Sequence, residues 1–141
     1  MTFMNRVALG AFGLALSLVS GTALADVVVV VSAKSPITAL SKSQVADLFS
    51  GRTRLFPNGL LAVPIDQADG SITRDEFYTK ISGKSAAQIK AYWSKIIFTG
   101  RGQPPKTVSS SAEVKKRLLE NPAAIGYIED KMVDDSVRVL P

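Results

Sequence analysis

The chain has 141 residues, with 17 Lys and Arg against 12 Asp and Glu, and contains neither histidine nor cysteine. That length suits one domain of ordinary size, and 46% hydrophobic with 21% charged residues is a globular balance. Without His or Cys there is no triad or dyad that uses them, no thiolate nucleophile, no zinc site of His/Cys type and no disulfide.

Arg6 precedes thirteen uncharged residues, Val7 to Val19, and Ser20-Gly21-Thr22 leads into Ala23-Leu24-Ala25. A basic residue, a short apolar stretch and an A-x-A site make up a secretory signal peptide, so residues 1–25 are expected to be removed and the mature chain to begin at Asp26. An uncleaved anchor is the alternative, because apolar character resumes at Val27 to Val31. Asp26 interrupts that run, and the Ala-x-Ala site favours cleavage. No cysteine follows the apolar stretch, which excludes a lipid-anchored lipoprotein. The expectation is a soluble periplasmic domain over residues 26–141, with no membrane span after cleavage.

From Lys80 to Arg117 there are nine Lys/Arg and one acid, Glu113, whereas Glu129 to Asp135 holds four acids and only Lys131. The basic stretch reads as solvated helix faces. Nucleic acid is not expected as a partner, because Tyr92, Trp93 and Phe98 fall at helical spacings that suit burial rather than base stacking.

In chain order, Val27–Val31 is a β-branched run that suits a strand buried on both faces, as in a parallel sheet. Ser41-Lys-Ser-Gln44 has capping-box spacing and opens a helix with Val45, Leu48 and Phe49 inward and Gly51 at its stop. Residues 52–59 are a polar loop, and Leu60 to Ile65 reads as a strand ending at Asp66. After the turn Gln67 to Ser71 the spacing predicts a helix from Thr73 to Ser82. Ser85-Ala-Ala-Gln88 is a second capping box, followed by the apolar stripe Ile89, Tyr92, Trp93, Ile96 and Ile97. Gly100 to Pro105 is a loop. Ser110-Ser-Ala-Glu113 is a third box, opening a helix with Val114, Leu118 and Leu119 apolar and ended by Asn121-Pro122. Ala124 to Ile128 is a buried strand with a close-approach glycine, and Val137 to Leu140 a last strand. This alternation argues for one α/β domain, a three-layer arrangement with helices on a mostly parallel sheet.

The most informative stretch is Asp66 to Phe77, where a strand end, a glycine turn and two hydroxyls meet a helix start. The first N–H groups of a helix lack intrahelical partners and carry the positive end of the dipole, which suits an oxyanion. Ser71 and Thr73 can donate hydroxyl hydrogen bonds, the N–H groups of Ile72, Thr73 and Arg74 can donate from the backbone, and Arg74 can add charge. Local spacing equally suits an ordinary N-cap with Asp75 and Glu76 answering the dipole.

Taken together, Leu40-Ser-Lys-Ser-Gln-Val-Ala-Asp-Leu-Phe-Ser-Gly51, Asn58-Gly59, Val63-Pro64, Asp69-Gly70-Ser71-x-Thr73 and Asn121-Pro-Ala-Ala-Ile-Gly-Tyr127 resemble, in that order, the phosphate-binding proteins of bacterial ABC transporters. These have the type 2 periplasmic binding protein fold. The resemblance covers roughly Val27 to Leu140 and implies one lobe, the second, of a family whose members close two lobes on the anion. Carried over residue by residue, it implies Asp69, Ser71 and Thr73 as ligand residues for phosphate or another oxyanion; with the helix-start donors the candidate set is Asp69, Gly70, Ser71, Ile72, Thr73 and Arg74. It also implies a partner, either a transporter permease or a second lobe supplied by self-association; an enzyme is the most distant alternative because no nucleophile–base pair or metal cluster is visible, and no cofactor is expected. Two positions depart from the family's Arg-x-Asp-Gly-Ser-Gly-Thr: Gln67 stands in the arginine position and Ile72 in the last glycine position. The first loses a bidentate, charge-assisted contact. Three or four neutral donors on an open half-site, each worth about 0.5–1.5 kcal/mol net, approach the roughly −4 kcal/mol of a millimolar site rather than the −8 of a micromolar one.

Lys34 and Ser35 follow the first strand and are candidates for the same sheet edge as Ser71, with ordinary loop residues as the alternative. Asp66, Asp69, Asp75 and Glu76 are too close in sequence for a glycosidase-like pair. Gly100 to Pro105 has no P-loop pattern. Two functions remain: an oxyanion-binding module related to phosphate transport, or an envelope interaction or regulatory module that kept the fold and lost tight ligand binding.

Overall fold

The computed structural model describes residues 26–141 together with Gly13, so the expected signal peptide otherwise lies outside the described residues. Five strands and four helices alternate: β1 Val27–Ser32, α1 Lys42–Phe49, β2 Val63–Gln67, α2 Ile72–Ser82, α3 Ala86–Phe98, β3 Lys106–Val108, α4 Ser111–Glu120, β4 Ala124–Glu129 and β5 Val137–Val139. Each helix begins at a serine whose hydroxyl accepts the N–H three residues on, satisfying one orphan donor. Ser41 and Ser85 complete reciprocal boxes with Gln44 and Gln88. Ser110 caps the Glu113 N–H, but no bond returns from the Glu113 side chain, so the third box is half formed.

The sheet order is β3-β2-β4-β1-β5. β2 pairs in parallel with β3 and β4, whereas β1 is antiparallel to both β4 and β5. Four strands therefore share a direction and β1 alone is reversed. Val27, Val30 and Val31 of β1 are buried and Val28 and Val29 half-buried because helices cover both faces of an interior strand; that burial carries no information about direction. Val27 and Val31 join the cluster under α1, α2 and α3 with Phe49, Phe77 and Trp93, and Val30 joins the α4 cluster of Ile65, Val114, Leu118 and Ile128. Three layers result.

Gly126 is where the strand and α4 come closest. A Cβ there would lie 2.5 Å from Val114 Cγ1, so the glycine is a packing requirement. On the opposite face the Phe77 and Tyr127 rings stack with centroids 3.9 Å apart and 5° between planes.

Several apolar residues expected inside lie outside. Leu60 and Leu61 belong to a loop closed by the Leu55–Leu61 bridge and are 52% and 59% exposed; the strand begins at Val63. Ile97 at 55% and Leu119 at 62% exposure lie off the buried stripes of α3 and α4, which as outer-layer helices bury only a narrow face. β3 falls between the expected loop, Gly100 to Pro105, and the cap at Ser110, a stretch to which the sequence pattern assigns no element.

Candidate functional site at the carboxyl edge of the sheet

Because β2, β3 and β4 are parallel, Gln67, Val108 and Glu129 end at one edge, where α2 and α4 begin. In open α/β sheets this is the edge that takes ligands. Reversed β1 delivers Ser32 and the exposed Lys34 to the opposite edge, since Val27 pairs with Glu129 and Val31 with Ile125. This corrects the expected grouping of Lys34 with Ser71, and the reason is the antiparallel pairing of β1.

Alternation sends the last two side chains of β2 to opposite faces. Asp66, 2% exposed, accepts hydrogen bonds from Tyr78 Oη at 2.5 Å and from Tyr127 Oη. Its Oδ2 lies 3.8 Å from Arg74 Nη1. Burial, reinforced by the adjacent Asp66 charge, raises both tyrosines far above the ordinary phenol value, so each remains a hydrogen-bond donor. On the other face Gln67 Nε2 donates to Tyr127 O at 3.1 Å and to Ser111 Oγ at 3.3 Å, tying β2 to β4 and to the start of α4. Among the described residues no buried side-chain N or O lacks a partner.

Beyond this closed network the chain turns at Gly70, whose φ of +86° is a left-handed conformation that suits glycine. Ser71 Oγ accepts the Arg74 N–H at 3.3 Å and donates to Gln67 Oε1 at 3.4 Å, so it is both cap and bridge. The N–H groups of Ile72 and Thr73, the first two of α2, have no hydrogen-bond partner among the described residues. Thr73 Oγ1 donates to Glu129 Oε1 at 3.4 Å. Arg74 turns back over the strand end: Nη1 donates to Gln67 O at 2.9 Å and the guanidinium lies 5.5 Å from the Tyr78 ring centroid.

The geometry therefore brings Ser71, Ile72, Thr73 and Arg74 together with Gly70 and the exposed Asp69, but with different duties. Two backbone donors are free, both hydroxyls already have partners, and the arginine is committed to the fold. The Ile72 side chain is 72% exposed. Glu129, absent from the expected set, brings a carboxylate to Thr73, and Tyr78, Tyr127 and Ser111 were missed as members of the polar network. The sequence signal for Tyr127 was the Ala-Ile-Gly-Tyr element, whose tyrosine must point to the face opposite the glycine. No group of three or more Asp and Glu among the described residues is arranged to hold a metal ion.

No protein-family profile matches the chain, and no curated protein matches it. Solved structures do. A protein from Clostridium perfringens described as a phosphate ABC transporter substrate-binding protein, solved with bound phosphate, superposes with a TM-score of 0.65 at 23% identity over 81% of this chain and 43% of its own. An ABC-type phosphate transport receptor from Vibrio cholerae gives 0.63 at 20% identity, covering 81% of this chain and 44% of its own. PstS from Borrelia burgdorferi gives 0.58 at 17% identity, covering 81% and 46%. The first two are described as a transporter substrate-binding protein and a transport receptor, not as enzymes. The chain spans less than half the length of these structures, and what it shares with them is the fold of one lobe of a periplasmic binding protein.

Proposed function

We propose that this chain is an exported, solute-binding-type periplasmic module that engages phosphate or a related oxyanion weakly at the start of α2. The observation that carries this reading is the pair of unpartnered N–H groups, Ile72 and Thr73, presented by the Gly70 turn at the ligand-bearing edge of the sheet. The likeness to phosphate-transport proteins, one of them solved with phosphate, supports the choice of anion. Export rests on the signal-peptide pattern in residues 1–25. Tight binding needs a second face, from another copy of the chain or from a transporter component.

The contacts of Arg74 and Thr73 favour a second reading, an interaction module that kept the fold and retired the site. Arg74 is held by Gln67 and Asp66, and Glu129 places negative charge at Thr73. A backbone-amide NMR titration of the purified protein with phosphate, then sulfate, at low salt separates the two. The first reading expects saturating shifts centred on Gly70 to Arg74, weakened in Ile72→Pro, which removes one of the two unpartnered N–H groups at a first helical position that tolerates proline. Scattered, non-saturating shifts sink it and direct the search to protein partners. Sedimentation with and without phosphate then shows whether two copies complete a site.

A further inference from the structure

A separate cavity of about 460 Å³ opens between α2, α3 and β3, beside the Gly70–Thr73 turn but not including it. Three elements send cations to its walls: Arg74 from α2, Lys90 from α3 and Lys106 from β3. Arg74 is answered by Asp66, whose oxygens are taken up by Tyr78, Tyr127 and the Gln67 N–H. Lys90 and Lys106 have no ion-pair partner among the described residues. Asp69 is the one other acid in the lining, so the cavity keeps a net positive charge. Like charges facing one concavity repel, and low-dielectric walls focus their field on whatever enters.

Those walls are apolar: the indole of Trp93, Ile97, and Pro104 with Pro105. Ile97 is 55% exposed although it sits on the same helix as the buried Trp93, so an apolar surface beside the lysines is left for something to cover. The Ser94 and Thr107 hydroxyls complete the rim, and Ser94 Oγ, which donates to Lys90 O at 2.9 Å, keeps its acceptor capacity.

We propose that this cavity binds a small organic anion, with a phosphate or carboxylate head met by Lys90 and Lys106 and a flat apolar body against Trp93, Ile97 and the two prolines. This goes beyond the oxyanion site at the α2 start and uses different side chains to hold its ligand.

Trp93 is the only tryptophan in the chain, so its emission reports on this cavity. The purified protein is titrated with phenyl phosphate, with benzoate, with inorganic phosphate and with benzyl alcohol. Saturable changes in Trp93 emission are expected for the first two, with inorganic phosphate and benzyl alcohol each at least tenfold weaker. Lys90→Glu and Lys106→Glu each weaken phenyl phosphate at least tenfold, while Ser71→Ala with Thr73→Val leaves it unchanged. Both lysines are exposed, so the fold should tolerate the reversals; circular dichroism checks this, and Lys→Gln at both positions repeats the test if either reversal misfolds. No saturable response, equal response to inorganic phosphate, insensitivity to the lysine changes or dependence on Ser71 and Thr73 would each overturn the proposal. The last result would place the anion at the α2 start, and the NMR titration scores that site independently.

Discussion

Asp66 and Ser71 flank one strand end, yet the polar groups around them meet opposite fates. Around Asp66 every donor finds an acceptor inside the protein: two tyrosyl hydroxyls, a backbone N–H and an arginine converge on one buried carboxylate. In the first turn of α2, just after Ser71, two backbone donors have no partner among the described residues. The first region holds β2, α2 and β4 together and is closed to ligands; the second is open and contributes little to the fold. Gln67 links them, since its side chain accepts from Ser71 and donates across to β4 and Ser111. A glutamine at the position where the resemblance implies an arginine thus exchanges a ligand contact for a structural one.

The sharpest way to break this contrast is Asp66→Ala. It strips two buried tyrosyl hydroxyls of their acceptor and Arg74 of its ion-pair partner, and should cost about 3–5 kcal/mol in urea unfolding. A loss below about 1 kcal/mol would show that the network is not what holds this end of the sheet. Gly126→Ala tests the packing on the other face: the added methyl meets Val114 in a fully buried position and should cost about 1–3 kcal/mol.

The network also predicts a pH dependence. Tyr78 and Tyr127 have folded-state values raised above the ordinary 10.0. The unfolded chain therefore releases these protons at lower pH than the folded one, and their contribution is intact below pH 10 and lost as pH rises above it. The expected slope approaches about 1.4 kcal/mol per pH unit for each tyrosine above pH 10, read from unfolding curves between pH 10 and pH 12. Tyr127→Phe should reduce it by about half, whereas an unchanged slope would assign alkaline unfolding to other groups.

At the open turn the effects should be smaller. Ser71→Ala removes an N-cap and should cost about 1 kcal/mol. Ile72→Gly, at an exposed first helical position, should barely move stability and should tighten phosphate by a small factor in the NMR titration. If it leaves the shifts unchanged, the isoleucine is not what limits access to the backbone donors.

Much of the architecture could be read before folding because the signals are local. Serine caps mark all four helix starts, and the Gly70 turn and the small residue at 126 sit where the pattern put them. β3 was invisible because it is three residues long, with Lys106 and Thr107 exposed, and exists through its pairing with Ile65 to Gln67. Leu60 and Leu61 misled because an apolar run looks the same whether or not another element covers it. The Asp66 partners could not be found by spacing, since Tyr127 lies 61 residues away.

By itself the sequence determined the helices, the glycine turn and the serine and threonine placed at the start of α2, because each depends on residues within a turn or two of one another. Only the tertiary structure decided the reversal of β1, the removal of Lys34 to the far edge, the commitment of Arg74 to the strand end and the meeting of Arg74, Lys90 and Lys106 around one cavity. Those outcomes depend on strand direction and on which faces are covered, and short-range propensity is the same for either choice.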